Sequence, residues 1–236
     1  MADKLPDSPS RISTAQLNRL RAAVLGANDG IVSVSSIILG VAGATANRGA
    51  IFTAGMAGLV AGALSMAVGE YVSVGSQRDT EDAYIALEKK RLRTNPEAEF
   101  EELAAVYQAK GMSAKTAHLV ATELTASDPI KAHIDAELNL DEDDLNSPVQ
   151  AAVASLVAFT VGGVIPLVAV LSVAGHQARI YVTFLAVLVA LSLTGYYSAT
   201  VGKTSVKRSV LRVVIGGAAA MTLTYLVGKA FGTAIR

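Results

Sequence analysis

The fold class that the sequence predicts is all-α: five transmembrane helices, with a helical polar domain inserted between the second and third. Three observations predict it. The chain of 236 residues is 52% hydrophobic, with a mean hydropathy of +0.44. Its apolar residues fall in long runs: 149–175, 180–202 and 213–228 carry no charge, while 20–47 and 49–77 carry one acid each, Asp29 and Glu70. Between the second and third runs lies a block, 76–147, that holds 16 of the 20 acidic residues and 8 of the 20 basic ones. The block is therefore at −8 and the remainder at +8, hidden under a net charge of zero.

About 20 residues of helix cross a hydrocarbon core roughly 30 Å thick. The runs therefore place spans at 20–46, 50–74, 149–173, 179–201 and 208–230. Residues 1–18 are polar and lack the features of a secretory signal, so they read as a disordered cytosolic tail. The domain reading is that tail, spans one and two over 19–75, the acidic domain over 76–147, and spans three to five over 148–236. Lys and Arg near the spans set orientation. Lys4, Arg11, Arg19 and Arg21 flank the first span, and Lys203, Lys207, Arg208 and Arg212 join the fourth to the fifth. Arg48, Arg179, Lys229 and Arg236 fall on the opposite side. The amino terminus and the acidic domain are accordingly placed in the cytosol.

Several chemistries are excluded. The chain has no cysteine, hence no disulfide, zinc–thiolate site or thiol nucleophile. It has no Gly-rich phosphate loop, no Ser-centred elbow and no His-Glu-x-x-His. The acidity of the polar block argues against nucleic acid as a partner.

The elements follow in order. In span one, Gly26 and Gly30 form a small-xxx-small pair that admits a close neighbour. Asp29 lies between them. An intramembrane carboxylate costs a few kcal/mol on insertion scales, so it has either a structural partner on a neighbouring helix or a role in ion passage. Span two repeats the pattern with Gly58 and Gly62. Met66 and Glu70 share a face four residues apart, which continues through Gln77, Glu81, Tyr84 and Glu88. No breaker follows Gly75, so this helix is expected to run to about Arg93. Asn95-Pro96 is a cap with proline at the first helical position, and Gly111 is a stop. Ser113 caps a helix over 114–126, and Asp128-Pro129 starts another over 129–138. The run DEDDLN reads as a solvated linker. Span three contains GGVIP, where Pro166 with Gly162 and Gly163 is expected to kink the helix. Span five carries Gly216 and Gly217, a further close-packing signal.

Donors for a metal recur on three helices of the polar block. Glu99 and Glu102 share one face, His133 and Glu137 another, and Glu88 lies on the extension of span two, with Glu81 two turns earlier. Carboxylates with one imidazole suit Fe²⁺, Mn²⁺ and Zn²⁺. Taken singly, each pair reads equally as a solvated helix face. No Glu-x-x-His occurs, whereas the ferritin-like di-iron proteins need it twice.

The segments GANDGIVS (26–33), GALSMAVGEYVSVGSQRD (62–79), NPEAEFEELAAVY (95–107), AELNL (136–140) and GGVIPL (162–167) together resemble the vacuolar iron transporter family, which includes the nodulin-21-like proteins. The resemblance runs from about Arg19 onward. It implies a five-span homodimer with an ion path between subunits near spans one and two, and a cytosolic three-helix metal-binding domain. It also implies exchange of Fe²⁺, often Mn²⁺, for protons, carrying metal out of the cytosol. By position, Asp29 and Met66 match residues of the membrane path. Glu88, Glu99, Glu102 and Glu137 match carboxylates of the metal-binding domain. Plant vacuolar members carry acids at the positions of Ala22 and Gly58, and Glu70 is expected to take over the second of them. Arg91 stands where those members have a metal-binding Glu, and His133 where they have Met.

The expectation is thus a metal transporter and not an enzyme, with no permanent cofactor. Its ions are Fe²⁺ or Mn²⁺, with Zn²⁺ fitting the same donors, and its partners are protons, the lipid bilayer and a second copy. Asp29 and Glu70 coordinate the ion with Met66, whose thioether favours softer metals over Mg²⁺ and Ca²⁺. The membrane is the cell membrane in a prokaryote or the vacuolar membrane in a eukaryote. The alternatives are a membrane di-iron carboxylate enzyme and a non-transporting scaffold with an acidic docking domain.

Overall fold

A computed structural model describes residues 14–138 and 147–234. Every element in it is helical: α1 (Thr14–Ala44), α2 (Arg48–Thr94), α3 (Pro96–Ala109), α4 (Ala114–Ser127), α5 (Pro129–His133) continued by a π-helical turn (Ile134–Leu138), α6 (Pro148–Leu171), α7 (His176–Val201) and α8 (Val206–Ala234). Five of them, α1, α2, α6, α7 and α8, are long and apolar enough to cross a membrane. The chain separates into two compact units, divided at Leu17/Asn18, at Val72/Ser73 and at Ser147/Pro148.

The first unit contains α1 from Asn18 onward, α2 as far as Val72, and α6 to α8. Its core is built from Ile31, Val34, Ile38, Leu39, Ile51, Leu59, Phe159, Leu167, Val187, Leu191 and Met221. α1 lies at the centre, because small residues let the other helices close on it. Gly26 and Gly30 lie against the α6 backbone at Ser155 and Phe159, and Gly162 of α6 lies against Ala27. On another side Gly40 and Gly43 meet α8 at Thr224 and Tyr225, and Gly228 of α8 meets the backbone of Gly40. A hydroxyl–amide bond ties α1 to α7, where Thr194 Oγ1 donates to Asn28 Oδ1 at 2.6 Å.

The pairings fix directions. α6 and α8 run with α1, since 26 and 30 meet 155 and 159, and 40 and 44 meet 228 and 232. α2 runs against them, since Gly62 meets the Phe159 ring and Gly55 meets Ile38 and Leu167. α7 also runs against them, pairing Gly195 with Val210 and Leu191 with Gly217 of α8. Directions therefore alternate through the five long helices, as successive crossings of a bilayer require.

The carboxyl end of α6 is held by two arginines. Arg48 Nη2 donates to Leu171 O at 2.8 Å, and Arg179 Nε donates to Val173 O at 3.1 Å. Cations satisfy the orphan carbonyls of a helix end and complement its dipole.

The second unit comprises the rest of α2 and the helices α3, α4 and α5 with its π turn. Its core is small: Leu103, Ala104, Ala121 and Ala132 are buried, with Phe100, Tyr107, Leu124 and Ala136 around them. Ser113 Oγ accepts from Thr116 N at 3.2 Å and Asp128 Oδ1 from Lys131 N at 3.0 Å, so both act as helix caps. Gly111 takes φ +100°, the left-handed stop after α3.

Boundaries and details differ from expectation in several places. α1 begins at Thr14, inside the segment expected to be a tail. Asn95 precedes α3, but its side chain makes no cap bond; Pro96 supplies the start. The helix expected over 129–138 narrows to five residues and then widens to π geometry. Of Gly216 and Gly217, only Gly217 packs, against Leu191, while Gly216 faces open space. The DEDDLN linker and residues 1–13 lie outside the described residues.

The α1–α8 seam is testable. A Cβ on Gly228 would meet the Gly40 backbone, whereas one on Gly216 meets nothing within 4 Å. Gly228→Ala should destabilise the detergent-solubilised protein by about 1–3 kcal/mol, the usual cost of overpacking. Gly216→Ala should be neutral or slightly stabilising. Melting followed by size-exclusion chromatography separates the two outcomes, and equal melting temperatures would refute the seam.

Candidate metal centre and membrane carboxylates

α2, α3 and α5 each aim one side chain at a common point in the acidic unit. Glu88 is 4% exposed, Glu99 6% and His133 fully buried. One ligand atom from each lies within 4.8 Å of the other two. Local sequence explains each placement. Ile85 and Glu88 are the buried positions of this stretch of α2. Glu99 lies on the side of α3 that buries Leu103. His133 closes α5 beside Ala132, which packs into the small core.

The buried polar atoms are incompletely paired. Glu88 Oε1, Glu99 Oε2 and His133 Nε2 have no hydrogen-bond partner among the described residues. His133 Nδ1 is the ring nitrogen nearest the carboxylates, 2.8 Å from Glu137 Oε1 and 3.3 Å from Glu88 Oε1. Nδ1 has one proton at most to give to these two oxygens, and Glu88 Oε1 has no hydrogen-bond partner despite the short approach. Burial pushes the Glu88 carboxyl above its ordinary 4.5. The negative charges of Glu137 and then Glu99 add to the rise, and His133 opposes it. Arg91 approaches from the rim, with Nη1 3.9 Å from Glu88 Oε2 and half its side chain exposed. Two carboxylates and an imidazole, buried together and short of donors, form a donor set for a divalent transition metal.

The other expected residues fall elsewhere. Glu137 is half-buried on the π turn and orients the His133 ring, the usual second partner of a ligating imidazole. Glu102 is exposed and outside the trio, although it was expected to share a face with Glu99. Glu81 is half-buried and accepts a bond from Gln77 Nε2 at 2.7 Å. Glu101 instead approaches His118, at 3.4 Å.

In the membrane unit, Asp29 is exposed along a narrow strip of α1 with Arg21, Leu25 and Ile37. Its hydrogen bond is internal to α1, donated by the hydroxyl of Ser33. Ser33 is a partner that the four-residue spacing makes visible in the sequence. The Asn28–Thr194 tie, 166 residues apart, has no such signal. Met66 is half-buried against the main core, and Glu70, one turn along α2, is half-buried. Gly58 packs on Ile37, about 18 Å along α2 from Glu70 at 1.5 Å per residue. Glu70 therefore stands more than three turns along α2 from Gly58.

A profile described as the VIT family matches residues 20–229. A vacuolar iron transporter of Acanthamoeba castellanii is 41% identical over 209 residues, covering 89% of this chain and 77% of the relative. Vacuolar iron transporter homolog 2.1 of Arabidopsis thaliana is 39% identical, covering 91% and 82%. Vacuolar iron transporter homolog 5 of rice, Oryza sativa subsp. japonica, is 39% identical, covering 89% and 79%. Matched over nearly its whole length in sequence and built of five apolar helices, the chain belongs to the VIT family.

Proposed function

We propose that the protein carries Fe²⁺ or Mn²⁺ across a membrane in exchange for protons, removing metal from the cytosol. The observation that carries this reading is the buried Glu88–Glu99–His133 trio with its unpaired oxygens and ring nitrogen, in a chain whose relatives are named vacuolar iron transporters. The acidic unit, proposed to be cytosolic with the amino terminus, captures the ion. Asp29, Met66 and Glu70 form the membrane path. Protons from the far side neutralise the path carboxylates and release the metal. By likeness to the named relatives, the membrane is vacuolar.

A homodimer is part of the proposal. Asp29 is exposed on a membrane helix with only a hydroxyl of its own helix as partner, and a carboxylate facing lipid is costly. The adjoining α2 face, with Val60, Leu64, Val68, Tyr71 and Val72 exposed, offers apolar area for a second copy to cover, placing Asp29 at the seam. The di-iron enzyme reading has less support, because the trio offers three ligands for one ion and lacks paired Glu-x-x-His.

Asp29→Asn is expected to abolish Mn²⁺-driven proton flux in reconstituted vesicles while leaving the oligomeric state unchanged. Undiminished flux would remove Asp29 from the path.

In the acidic unit, Glu99→Ala should weaken Mn²⁺ binding by the full chain about tenfold or more, as removal of a ligand does. Glu102→Ala should change it little. Arg91→Glu, which replaces a competing cation with a donor, should tighten binding. Calorimetry checks all three, and equal effects of Glu99→Ala and Glu102→Ala would sink the assignment.

The pH dependence has a defined sign. With its carboxyl raised, folded Glu88 retains a proton that the unfolded chain has lost. Its contribution to stability is fully present below the ordinary 4.5 and is lost as pH rises through the raised value. A bound cation takes the proton's place. Mn²⁺ should therefore raise the melting temperature more at pH 7.5 than at pH 5, because the ligands must be deprotonated to bind. An Mn²⁺ effect that is larger at pH 5 would overturn this order.

A further inference from the structure

We propose that Glu70 is a separate cation site in the membrane unit, used before the Asp29–Met66 pair, so that the path has two stations in series. The inference rests on the transport reading above and deepens it. Its basis is the register of α1 against α2. Phe159 meets both Gly30 and Gly62, Gly163 meets both Val34 and Leu59, and Ile38 and Leu167 both meet Gly55. Three successive levels therefore pair 30 with 62, 34 with 59 and 38 with 55. Extended by the 1.5 Å rise per residue, this ladder sets Asp29 level with about residue 63 and Glu70 level with about residue 23. Met66 then stands about 4 Å from the level of Asp29, and Glu70 about 10 Å from it.

Met66 is thus close in level to an ion held by Asp29. Glu70 is not, even though helix side chains lean toward their own amino termini and bring the two carboxylates closer. Metal–oxygen bonds of about 2.1 Å leave no room for both acids on one ion across such a gap. A second copy does not change this, because a twofold axis along the membrane normal preserves depth. Glu70 lies three residues before Ser73, where α2 passes from one compact unit into the other, and it is the first carboxylate of the membrane unit met on α2 from that end. It is half-buried and has no hydrogen-bond or ion-pair partner among the described residues. A carboxylate so placed needs a counter-ion, and a passing divalent cation supplies one.

The test uses the full chain with Glu88→Gln and Glu99→Gln, which silence the acidic unit, and Mn²⁺ as the probe. Free Mn²⁺ measured by electron paramagnetic resonance should show two remaining sites per chain. Asp29→Asn should remove one and Glu70→Gln the other, and Glu70→Asp should retain its site. In vesicles, Glu70→Gln should raise the half-saturating Mn²⁺ about tenfold, whereas Asp29→Asn abolishes flux at every concentration. The inference is overturned if either substitution alone removes all remaining Mn²⁺, or if the parent shows a single site. Loss of the transport reading has a different signature: the unsubstituted protein moves neither Mn²⁺ nor Fe²⁺, and the site count still decides for or against two stations.

Discussion

The membrane unit depends on the close approach of its helices to α1. Glycines on α1, α6 and α8 bring backbones into contact along most of that helix, and between lipid tails such packing replaces the hydrophobic drive that water would supply. With Gly26, Gly30, Gly40 and Gly43 committed inward, one narrow strip of α1 is left outside, and Asp29 lies on it. The Thr194–Asn28 bond reinforces that rotation. A turn of α1 by a quarter would bury an unpaired carboxylate against α6 or α7, so the packing of neutral residues decides where the charged one points.

The acidic unit obeys a different balance. Its apolar core is only a few side chains, largely alanine, and into it the helices bring two carboxylates and an imidazole. Like charges in a small buried space destabilise the apo form, which is what the raised Glu88 carboxyl expresses. Arg91 eases the conflict from the rim without resolving it, whereas Glu137 holds the His133 ring and adds its own negative charge to the crowding. A divalent cation resolves it in one step, and in the proposed cycle that makes capture and stability the same event.

Much of this was legible in the linear chain, for reasons that differ by residue. Long charge-free runs can only be satisfied by helices in a bilayer, so five spans followed from composition. Ser113, Asp128 and Gly111 act through neighbours within four positions, and their roles as caps and stop needed no distant partner. Glu88, Glu99 and His133 were recognisable as donors, but so was Glu102, because spacing on one helix says which residues share a face and not which face turns inward. The π turn after His133 likewise answers to packing rather than to local propensity.

What the sequence by itself determined is therefore the all-α class, the number of spans, the polar insertion and the inventory of donors, since all of these depend on composition and on contacts near in the chain. What only the tertiary structure decided is selection and register: that Glu99 rather than Glu102 lies beside His133 and Glu88, and that residues 30, 34 and 38 of α1 stand opposite 62, 59 and 55 of α2. Both are set by the packing of helices far apart in sequence, which no local periodicity encodes.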